Sequence, residues 1–531
     1  MADKNLILVL NSRQEYVRYS GEDEKKYAAQ INRLFKSISD LYIPLIDCFE
    51  RLESEKIPFK IALVITPILC SLLEDRMIQA QYIQWLDKRI ELGKKELERC
   101  KDNPDIVKAV TLCFEKASDD KIRFLRYGQK ILKKILEYHN KGYVELLATC
   151  GTEIFFPHYR GMEEIMGAQV ETGIYAFRRA FGDVPDGFWL PEMGFCRGVE
   201  KILSLYGINY TILDARTFLF SENPVEKGIF CPARLNNILA AFGNDPEFHA
   251  ELFEPDGFAC NPVYKNQNLD IGFELSAEYL SDFFDGGNPR YELGYKYRNK
   301  KGGAASDSIY DYDAAKKQCA LDAEEFIRRK SDKLAAAEKL LPEEKNISLV
   351  FTLDSSLLLS EWTEGVLWIE NIFRAAAKTN EIKFEHCKNL LQNQFELQKI
   401  FPYFGSSDGQ GYGEDFLSGK NNWMLRYVRK ASERMVDLAN RFPSDTGLKV
   451  RLLNAGAKEL MLAQSCIFSL MINNDDSPDY ARSYFNRCIN DFTEVFDALG
   501  SNTVSTEWLT KLESVHRFFP WMNYRIFSTK R

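Results

Sequence analysis

The chain has 531 residues, which at about 100–200 residues per domain predicts two or three domains. Apolar residues make up 45% and charged residues 27%, values typical of a folded globular protein, so a disordered or collagen-like chain is excluded. The 69 basic residues are outnumbered by the 77 acidic ones, and without a basic excess nucleic acid is not expected as the main partner.

The cysteines and the apolar segments indicate the compartment. The 12 cysteines form no C-x-x-C pair and no repeated spacing, so the sequence predicts free thiols, which fit a reducing cytoplasm, rather than a disulfide framework or a zinc ribbon. The longest apolar run, residues 61–73, contains Pro67 and falls short of the ~20 residues that a membrane helix needs. The opening residues lack a signal-peptide pattern. We therefore expect a cytoplasmic protein with no membrane partner.

Continuous apolar runs, typical of strands that are buried on both faces, recur along the first two thirds of the chain. They lie at residues 6–10, 61–66, 144–149, 188–190, 210–213 and 347–352. Helical patterns separate the first three of these runs, at about 24–55, 73–98 and 105–139. Buried strands that alternate with helices predict parallel βαβ units and an α/β barrel.

The remaining segments differ from this pattern. Residues 220–313 are rich in Gly, Pro, Asn and Tyr and have little periodicity, so we expect an ordered insertion over the barrel face. Beyond about residue 401 the strand pattern stops, and helices are predicted at 422–441, 446–473, 478–499 and 503–517. The domain prediction is a barrel over 1–400 that contains the insertion, followed by an all-helical C-terminal domain over 401–531.

Acidic residues follow several predicted strands, and the main site candidates among them are Glu192, Asp214 and Asp354. In a parallel barrel the carboxyl ends of the strands share one face, which carries the chemistry. Two carboxylates that face each other across a cleft suit glycosidic-bond cleavage, because one protonates the leaving oxygen and the other attacks the anomeric carbon. A separation of about 5–5.5 Å would indicate retention of configuration.

Several segments form a family pattern when they are taken together. The most informative one reads GFWLPEMGF and carries Glu192. The segments lie at 16–18, 187–195, 241–247, 270–273, 294–297, 353–365, 422–427 and 457–465. Because these segments follow one another in this order, the chain resembles glycoside hydrolase family 57, and most closely its 1,4-α-glucan branching enzymes.

The resemblance implies an incomplete (β/α)7 barrel and a helical domain that helps to form a glucan groove. It implies cleavage of an α-1,4 bond with retention, followed by transfer to a 6-hydroxyl that makes an α-1,6 branch. By position, Glu192 matches the nucleophile and Asp354 the general acid/base. The implied partner is an α-glucan polysaccharide or oligosaccharide such as amylose or glycogen. No metal or organic cofactor is implied.

The sequence departs from the family within the site. The family's opening His-x-His is Asn11-Ser12-Arg13 here, a further family histidine is Glu153, and the family's Asp-x-His ends in Arg216. The remaining departures are Ser356 for an acidic residue, Ser360-Glu361-Trp362 for His-Trp-Trp, and Cys466-Ile467-Phe468 for Ser-Asp-Trp. Tryptophans of the acceptor groove are expected at the positions of Phe253, Asp408 and Phe416.

Opposite charges have replaced the family histidines. We expect the two arginines, Arg13 and Arg216, to pair across the barrel mouth with Glu153, Asp214 and Glu361 and to occupy part of the volume where the reacting sugar binds. The candidate substrate-binding residues are Asn11, Arg13, Glu153, Trp189, Asp214, Arg216, Phe253, Trp362, Asp408, Phe416 and Phe468.

The sequence leaves two functions open. Retention of both carboxylates favours an active branching or 4-α-glucanotransferase type enzyme of altered specificity, because two unpartnered acids that face each other are unfavourable and an inactive relative would gain by losing one. The weaker interpretation is that Glu192 and Asp354 are kept for ion pairs with Arg13 or Arg216. The alternative is a catalytically inactive relative that binds glucan or a partner protein. A metal-dependent deacetylase-like or mannosidase-like site would need Asp and His ligands near the first strands, and none of the five histidines lies there.

A short basic run, formed by Lys296, Arg298, Lys300 and Lys301, lies within the predicted insertion. We expect a solvated loop surface. The alternative is a site for a phosphorylated sugar.

Overall fold

The structure is a computed structural model that describes residues 2–236, 238–284, 290–301, 308–391 and 393–529. Every predicted strand is present in this part of the chain. The strands are β1 (Asp3–Ser12), β2 (Ile61–Ile65), β3 (Val144–Leu147), β4 (Gly187–Phe188), β5 (Tyr210–Leu213), β6 (Ala233–Asn236), β7 (Leu239–Gly243), β8 (Asn346–Asp354) and β9 (Lys383–Phe384).

Among the described strands, seven follow one another around a ring. β3, β2, β1 and β8 lie side by side in one sheet, and β4, β5 and β7 in the other, with parallel pairing throughout these two runs. Parallel bridges join the two sheets, from Ala148 to Phe188 and from Asn244 to Val350. The ring is therefore a seven-stranded parallel barrel with two weak seams, which confirms the predicted fold class.

Apolar side chains cover both faces of the barrel wall. Ile7 and Val9 of β1 belong to the cluster inside the barrel. Leu6, Leu8 and Leu10 belong to the larger cluster under the surrounding helices. Because successive side chains of a strand point to opposite faces, a strand that is covered on both faces reads as one continuous apolar run.

The helices surround the barrel and make up the C-terminal region. They are α1 (Glu22–Lys26), α2 (Ala28–Ser37), α3 (Ile43–Ser54), α4 (Pro67–Leu73), α5 (Arg76–Arg99), α6 (Pro104–Arg126), α7 (Ile131–Asn140), α8 (Glu163–Phe181), α9 (Val199–Leu205), α10 (Ala215–Leu219), α11 (Phe248–Phe253), α12 (Ile271–Glu274), α13 (Tyr312–Leu340), α14 (Ser355–Ser360), α15 (Gly365–Thr379), α16 (Trp423–Arg441), α17 (Leu448–Ala463), α18 (Ile467–Asn473), α19 (Pro478–Ser501) and α20 (Thr506–Val515).

Two of the long helices predicted in the barrel part of the chain are divided in the structure. A π-helical segment, Ile38–Tyr42, lies between α2 and α3 and interrupts the helix predicted at 24–55. The helix predicted at 105–139 is interrupted at Gly128, whose φ of 63° lies in the left-handed region where helices commonly end.

The segment predicted as an insertion begins with part of the barrel. β6 and β7 form an antiparallel pair, and β7 pairs in parallel with β5 as a member of the ring. The strand Leu239–Gly243 is short and partly built of alanine and glycine, so it lacks the long β-branched and aliphatic run that identified the other strands. Residues 244–284 and 290–301 then cross the structure with only the short helices α11 and α12.

The C-terminal helices pack directly on the barrel. Thr152 Oγ1, just beyond β3, donates to the carbonyl of Met461 at 2.7 Å. The helix predicted at 446–473 is broken between α17 and α18, where Ser465 forms an antiparallel bridge with Ile154. This break brings the helical region to the barrel mouth.

In the part of the chain that the structure describes, no helix is long and apolar enough to cross a membrane. All 12 cysteines are free thiols, and each of them except Cys260 is buried.

Candidate active site

The carboxyl ends of β1, β4 and β8 bring charged side chains to the barrel mouth. Arg13 follows the last residue of β1. Asp354 ends β8 and pairs in register with Asn11 of β1. Glu192 lies in a short 3-10 turn that follows β4, about half of the ring away from β8. The ring therefore places Glu192 across the mouth from Asp354 and Arg13.

Glu192 has a strained backbone. Its φ is 53° and that of Met193 is 48°, and non-glycine residues in this left-handed region cost about 1–3 kcal/mol each. Ser407, in the glycine-rich segment 405–413 that we call the mouth loop, anchors the turn: its backbone N and its Oγ donate to the Glu192 carbonyl at 2.8 and 2.9 Å. The surrounding structure thus fixes the direction of the Glu192 side chain despite the strain.

One guanidinium spans the two predicted catalytic carboxylates. Nη1 of Arg13 donates to Oε1 of Glu192, and Nε of Arg13 lies 3.1 Å from Oδ2 of Asp354. Oδ1 of Asp354 accepts a hydrogen bond from the backbone N of Ser356 at 2.8 Å. The arginine–carboxylate contact expected from the sequence is therefore present, and its partners are Glu192 and Asp354 themselves.

Glu153 approaches the same cluster from the end of β3. Its side chain is buried, and Oε1 has no hydrogen-bond partner among the described residues. Burial raises the pKa of Glu153 to about 7, with Arg13 opposing the rise and Asp354 adding to it. Burial acts to lower the pKa of Arg13, but Asp354, Cys466 and Glu153 outweigh it and raise that pKa. Arg13 keeps its charge, whereas Glu153 titrates near neutral pH.

Arg216 forms the predicted pair with Asp214. It does not join the cluster of Arg13, Glu192 and Asp354, which corrects the expectation that both arginines occupy the volume where the reacting sugar binds. Its Nε donates to Oδ1 of Asp214 at 2.8 Å, and its Nη1 donates to the Gly409 carbonyl at 2.9 Å. Gly411 has a φ of 95°, and a Cβ there would meet the Arg216 guanidinium. Arg216 therefore ties the mouth loop to the end of β5. Glu361 is exposed and forms neither of the predicted ion pairs.

Four of the predicted sugar-binding rings are buried. They are Trp189, Trp362, Phe416 and Phe468, each 4% exposed or less. Phe416, for example, stacks on Phe155 with ring centroids 4.3 Å apart, and Phe468 stacks on Tyr484 at 4.9 Å. Because other side chains cover these rings, they present no face to a sugar in this structure.

The other predicted binding residues differ in burial and in whether they keep a side-chain oxygen without a partner. Asn11 and Asp408 are buried, and each keeps one side-chain oxygen without a partner in the described part of the chain. Burial raises the pKa of Asp408, and the hydroxyl of Ser406 opposes this rise. Phe253 is half-buried beside Trp362, with centroids 6.5 Å apart.

The sequence identified one residue of the mouth loop, Asp408, as a binding candidate, but it did not identify the loop's contact with Glu192. Ser407 holds the Glu192 turn, and the exposed rings of Tyr403, Phe404 and Tyr412 lie in or next to the loop. The dense glycines of 405–413 signalled a tight loop. They gave no indication of which strand end the loop meets, because that depends on how the helical region packs on the barrel.

Two family models match the chain. Residues 7–242 match glycosyl hydrolase family 57, and residues 427–527 match the C-terminal region of 1,4-alpha-glucan branching enzymes. A 1,4-alpha-glucan branching enzyme of Thermococcus kodakarensis is 23% identical over 506 residues, which cover 90% of this chain and 71% of that enzyme.

Solved structures of an α-amylase and a branching enzyme have the same fold as this chain. The α-amylase AmyC of Thermotoga maritima superposes with a TM-score of 0.90 at 26% identity, covering 99% of each chain. The branching enzyme of Pyrococcus horikoshii gives 0.88 at 21% identity, covering 99% of this chain and 97% of that one. The chain is similar in sequence and fold to the family 57 glycosyl hydrolases.

Two of the histidines have contacts outside the barrel mouth cluster. His158, in the 3-10 helix Phe156–Tyr159, packs edge-on against Phe155, and His516 pairs with the buried Glu459. Within the described residues, no group of three His, Cys, Asp or Glu side chains is arranged to hold a metal ion.

The raised pKa of Glu153 predicts a pH-dependent effect of its amide variant. A folded-state pKa of about 7, above the ordinary value of about 4.3, means that Glu153 supports stability below pH ~4.3 and loses this support as the pH rises through 7. Glu153→Gln retains the uncharged form at every pH. We therefore expect this variant to gain stability over the wild type by up to about 3 kcal/mol between pH 4.5 and pH 8.

Urea unfolding of both proteins at several pH values measures this difference. Glu163→Gln, at an exposed position at the start of α8, is the control for the effect of a glutamate-to-glutamine change on the free energy of unfolding. A difference between Glu153→Gln and the wild type that is the same at pH 4.5 and pH 8 would contradict the assigned environment of Glu153.

Proposed function

We propose that this chain acts on α-glucans of the amylose or glycogen type in the cytoplasm, as a retaining enzyme of the 1,4-α-glucan branching or 4-α-glucanotransferase type. Glu192 is the proposed nucleophile and Asp354 the proposed general acid/base. The observation that carries this proposal is the convergence of the two carboxylates on one guanidinium at the barrel mouth.

Two further observations support an active site rather than a fortuitous ion pair. The backbone at Glu192 is strained, and strain of this kind persists where the surrounding structure over-determines a functional position. The relatives matched by sequence and fold include branching enzymes and an α-amylase.

The exposed rings of Tyr403, Phe404 and Tyr412 also supply faces on which glucose units of a glucan stack.

The proposed reaction is a double displacement. Asp354 donates a proton to the glycosidic oxygen as Glu192 attacks the anomeric carbon, so the α-1,4 bond breaks and a glycosyl–Glu192 ester forms. Asp354 then removes the proton from the acceptor hydroxyl, which attacks the same carbon and releases Glu192. A 6-hydroxyl as acceptor gives a branch, a 4-hydroxyl gives disproportionation, and water gives hydrolysis.

Arg13 must leave its position for this reaction to occur. In retaining glycosidases the carboxyl groups lie about 5–5.5 Å apart, with one sugar ring reacting between them. A guanidinium that contacts both carboxylates occupies that gap. We infer that an entering glucan displaces Arg13 toward Glu153, whose carboxylate lies close enough to raise the pKa of Arg13.

The same contact favours a second candidate, a catalytically inactive glucan-binding or regulatory protein. With Arg13 in place, both oxygens of Asp354 are already engaged, by Arg13 Nε at 3.1 Å and by the Ser356 backbone N at 2.8 Å. Neither oxygen is then free to deliver a proton to a glycosidic oxygen. If Arg13 never leaves, the barrel binds glucan at its rim without cleaving it.

Incubation of the purified protein with amylose, beside its Glu192→Gln variant, tests the enzyme proposal. After debranching, chain lengths are profiled and reducing ends are counted. We expect new α-1,6 branches in the wild type and a loss of activity of about 10³-fold or more in the variant, because the amide cannot act as the nucleophile.

Other outcomes assign other functions. New reducing ends without branches would indicate a hydrolase. Two inert proteins that bind amylose equally would favour the inactive glucan-binding protein. Absence of both activity and binding would contradict the α-glucan proposal.

A second variant tests whether Arg13 restricts the site. Asn11→His with Arg13→His restores the family's His-x-His pattern and removes the guanidinium from between the carboxylates. We expect this double variant to have at least tenfold higher turnover of amylose than the wild type. The matched control is Asn11→His alone, which leaves Arg13 in place. Equal turnover of the double variant and this control would show that Arg13 does not restrict the reaction.

A further inference from the structure

A second pocket lies outside the barrel mouth, between α2, α5, α6 and the loop before α13. Its lining includes Trp85 and Arg89 of α5, Lys36 of α2, and Glu292 and Lys296 of the loop. We call it the Arg89 pocket. It opens to solvent and shares none of its described lining with the carboxylate cluster at the mouth.

Lys296 lies inside this pocket rather than on a loop surface, which corrects the expectation for the first residue of the basic run. It is 5% exposed, and its Nζ donates to the carbonyl and to Oε1 of Gln267 at 2.6 and 2.9 Å. Burial and the neighbouring charge of Lys36 lower the pKa of Lys296 to about 8. A buried lysine beside another cation is unfavourable unless negative charge compensates it.

Cations outnumber acids in the described lining. The cations are Lys36, Arg89, Lys116, Lys265 and Lys296, and the acids are Asp40 and Glu292. Burial acts to raise the pKa of Asp40, but Lys116, Arg89 and Lys36 outweigh it and lower that pKa. The described lining therefore has a formal excess of three positive charges, which favours a bound anion. Asp120, outside the lining, offsets part of it by contacting Lys116 at 2.9 Å.

The acids of the pocket are already engaged by its lysines. Glu292 contacts Lys36 at 2.5 Å and Lys296 at 3.2 Å. Asp40 lies 3.3 Å from Lys116. No carboxylate in the described part of the chain forms an ion pair with Arg89.

Arg89, like Lys265, has no salt-bridge partner among the described residues, although its charge acts on the nearby Asp40. The residue is 9% exposed, and its Nε is buried with no acceptor among the described residues. The guanidinium stacks on Trp85, 4.3 Å from the ring centroid. A Cβ at Gly294, whose φ is 84°, would collide with it. Burial of an unpaired guanidinium costs several kcal/mol, so its placement indicates a site built for an anion.

An apolar pocket adjoins the charged one and shares Trp85 and Arg89 with it. Phe35, Leu92, Phe283 and Leu293 belong to its lining. Concave apolar surface next to a few converging polar groups is typical of small-molecule sites. The charged part suits a phosphate group, and the apolar part suits a flat ring attached to it.

We propose that the Arg89 pocket binds a small metabolite in which a phosphate group is carried on a ring, a sugar phosphate or a nucleoside monophosphate. The phosphate accepts hydrogen bonds from Arg89, because the planar fork of guanidinium N–H donors matches the geometry of phosphate oxygens. The phosphate also lies next to Lys36. The ring lies toward Phe35 and Phe283. This site is independent of the proposed function, because it uses neither Glu192 nor Asp354.

Isothermal titration calorimetry in a phosphate-free buffer tests the proposal with inorganic phosphate, glucose 6-phosphate and AMP as probes, and with glucose and adenosine as their uncharged counterparts. We expect at least one ring-bearing phosphate to bind the full-length protein at least tenfold more tightly than inorganic phosphate. Its uncharged counterpart should not bind. The probe that binds distinguishes a sugar phosphate from a nucleotide.

Variants locate the binding in the pocket. Arg89→Gln and, separately, Lys36→Met should each weaken binding of that probe at least tenfold, and the two variants together guard against a folding defect in one of them. Arg76→Gln, an exposed arginine on the same helix, is the matched control and should bind like the wild type. Absence of binding by all three phosphates, or binding that survives both pocket variants, overturns the proposal. Equal affinity for inorganic phosphate and the ring-bearing probes overturns its ring component.

Discussion

The contact of Arg13 with both Glu192 and Asp354 is the interaction on which the barrel mouth depends. Two carboxylates that converge on one point repel each other, and joint ionisation is unfavourable without a cation between them. Arg13 supplies that cation from the neighbouring strand end. A third acid, Glu153, lies close enough to influence the same guanidinium. Under the proposed function, the chemistry of the site depends on whether a glucan displaces Arg13.

The mouth also depends on a long-range assembly of the chain. Ser407 of the mouth loop holds the strained turn at Glu192, and Arg216 holds the mouth loop to Asp214 at the end of β5. The break between α17 and α18 bridges to Ile154, next to Glu153. Glu192 and Glu153 are thus positioned after barrel strands and lie against segments from the C-terminal part of the chain, whereas Asp354 is held by Arg13 and the backbone of Ser356.

The barrel was predictable because its physical signature is local. A strand covered on both faces is a continuous apolar run, and six of the seven ring strands have one. β7 was missed because its alanines and glycine resemble a loop. Glu192 and Asp354 were predictable as acids at strand ends. Their pairing with Arg13 was open only as the weaker alternative to its pairing with Glu153, Asp214 and Glu361, because the contact joins residues 179 positions apart and depends on side-chain direction. Burial of Trp362 likewise depends on packing against Trp368, which composition does not reveal.

A double-mutant cycle on the free energy of unfolding tests the Arg13 contact most directly. Arg13→Ala and Glu192→Ala are measured singly and together by urea unfolding at pH 7. The structure predicts a coupling energy of about 1–3 kcal/mol between them, as expected for contacting charges. The matched cycle of Arg13→Ala with Glu361→Ala, where the glutamate is exposed and makes no such contact, should give less than about 0.5 kcal/mol. Equal, near-zero coupling in both cycles would contradict the central claim that Arg13 bridges the two carboxylates proposed as catalytic.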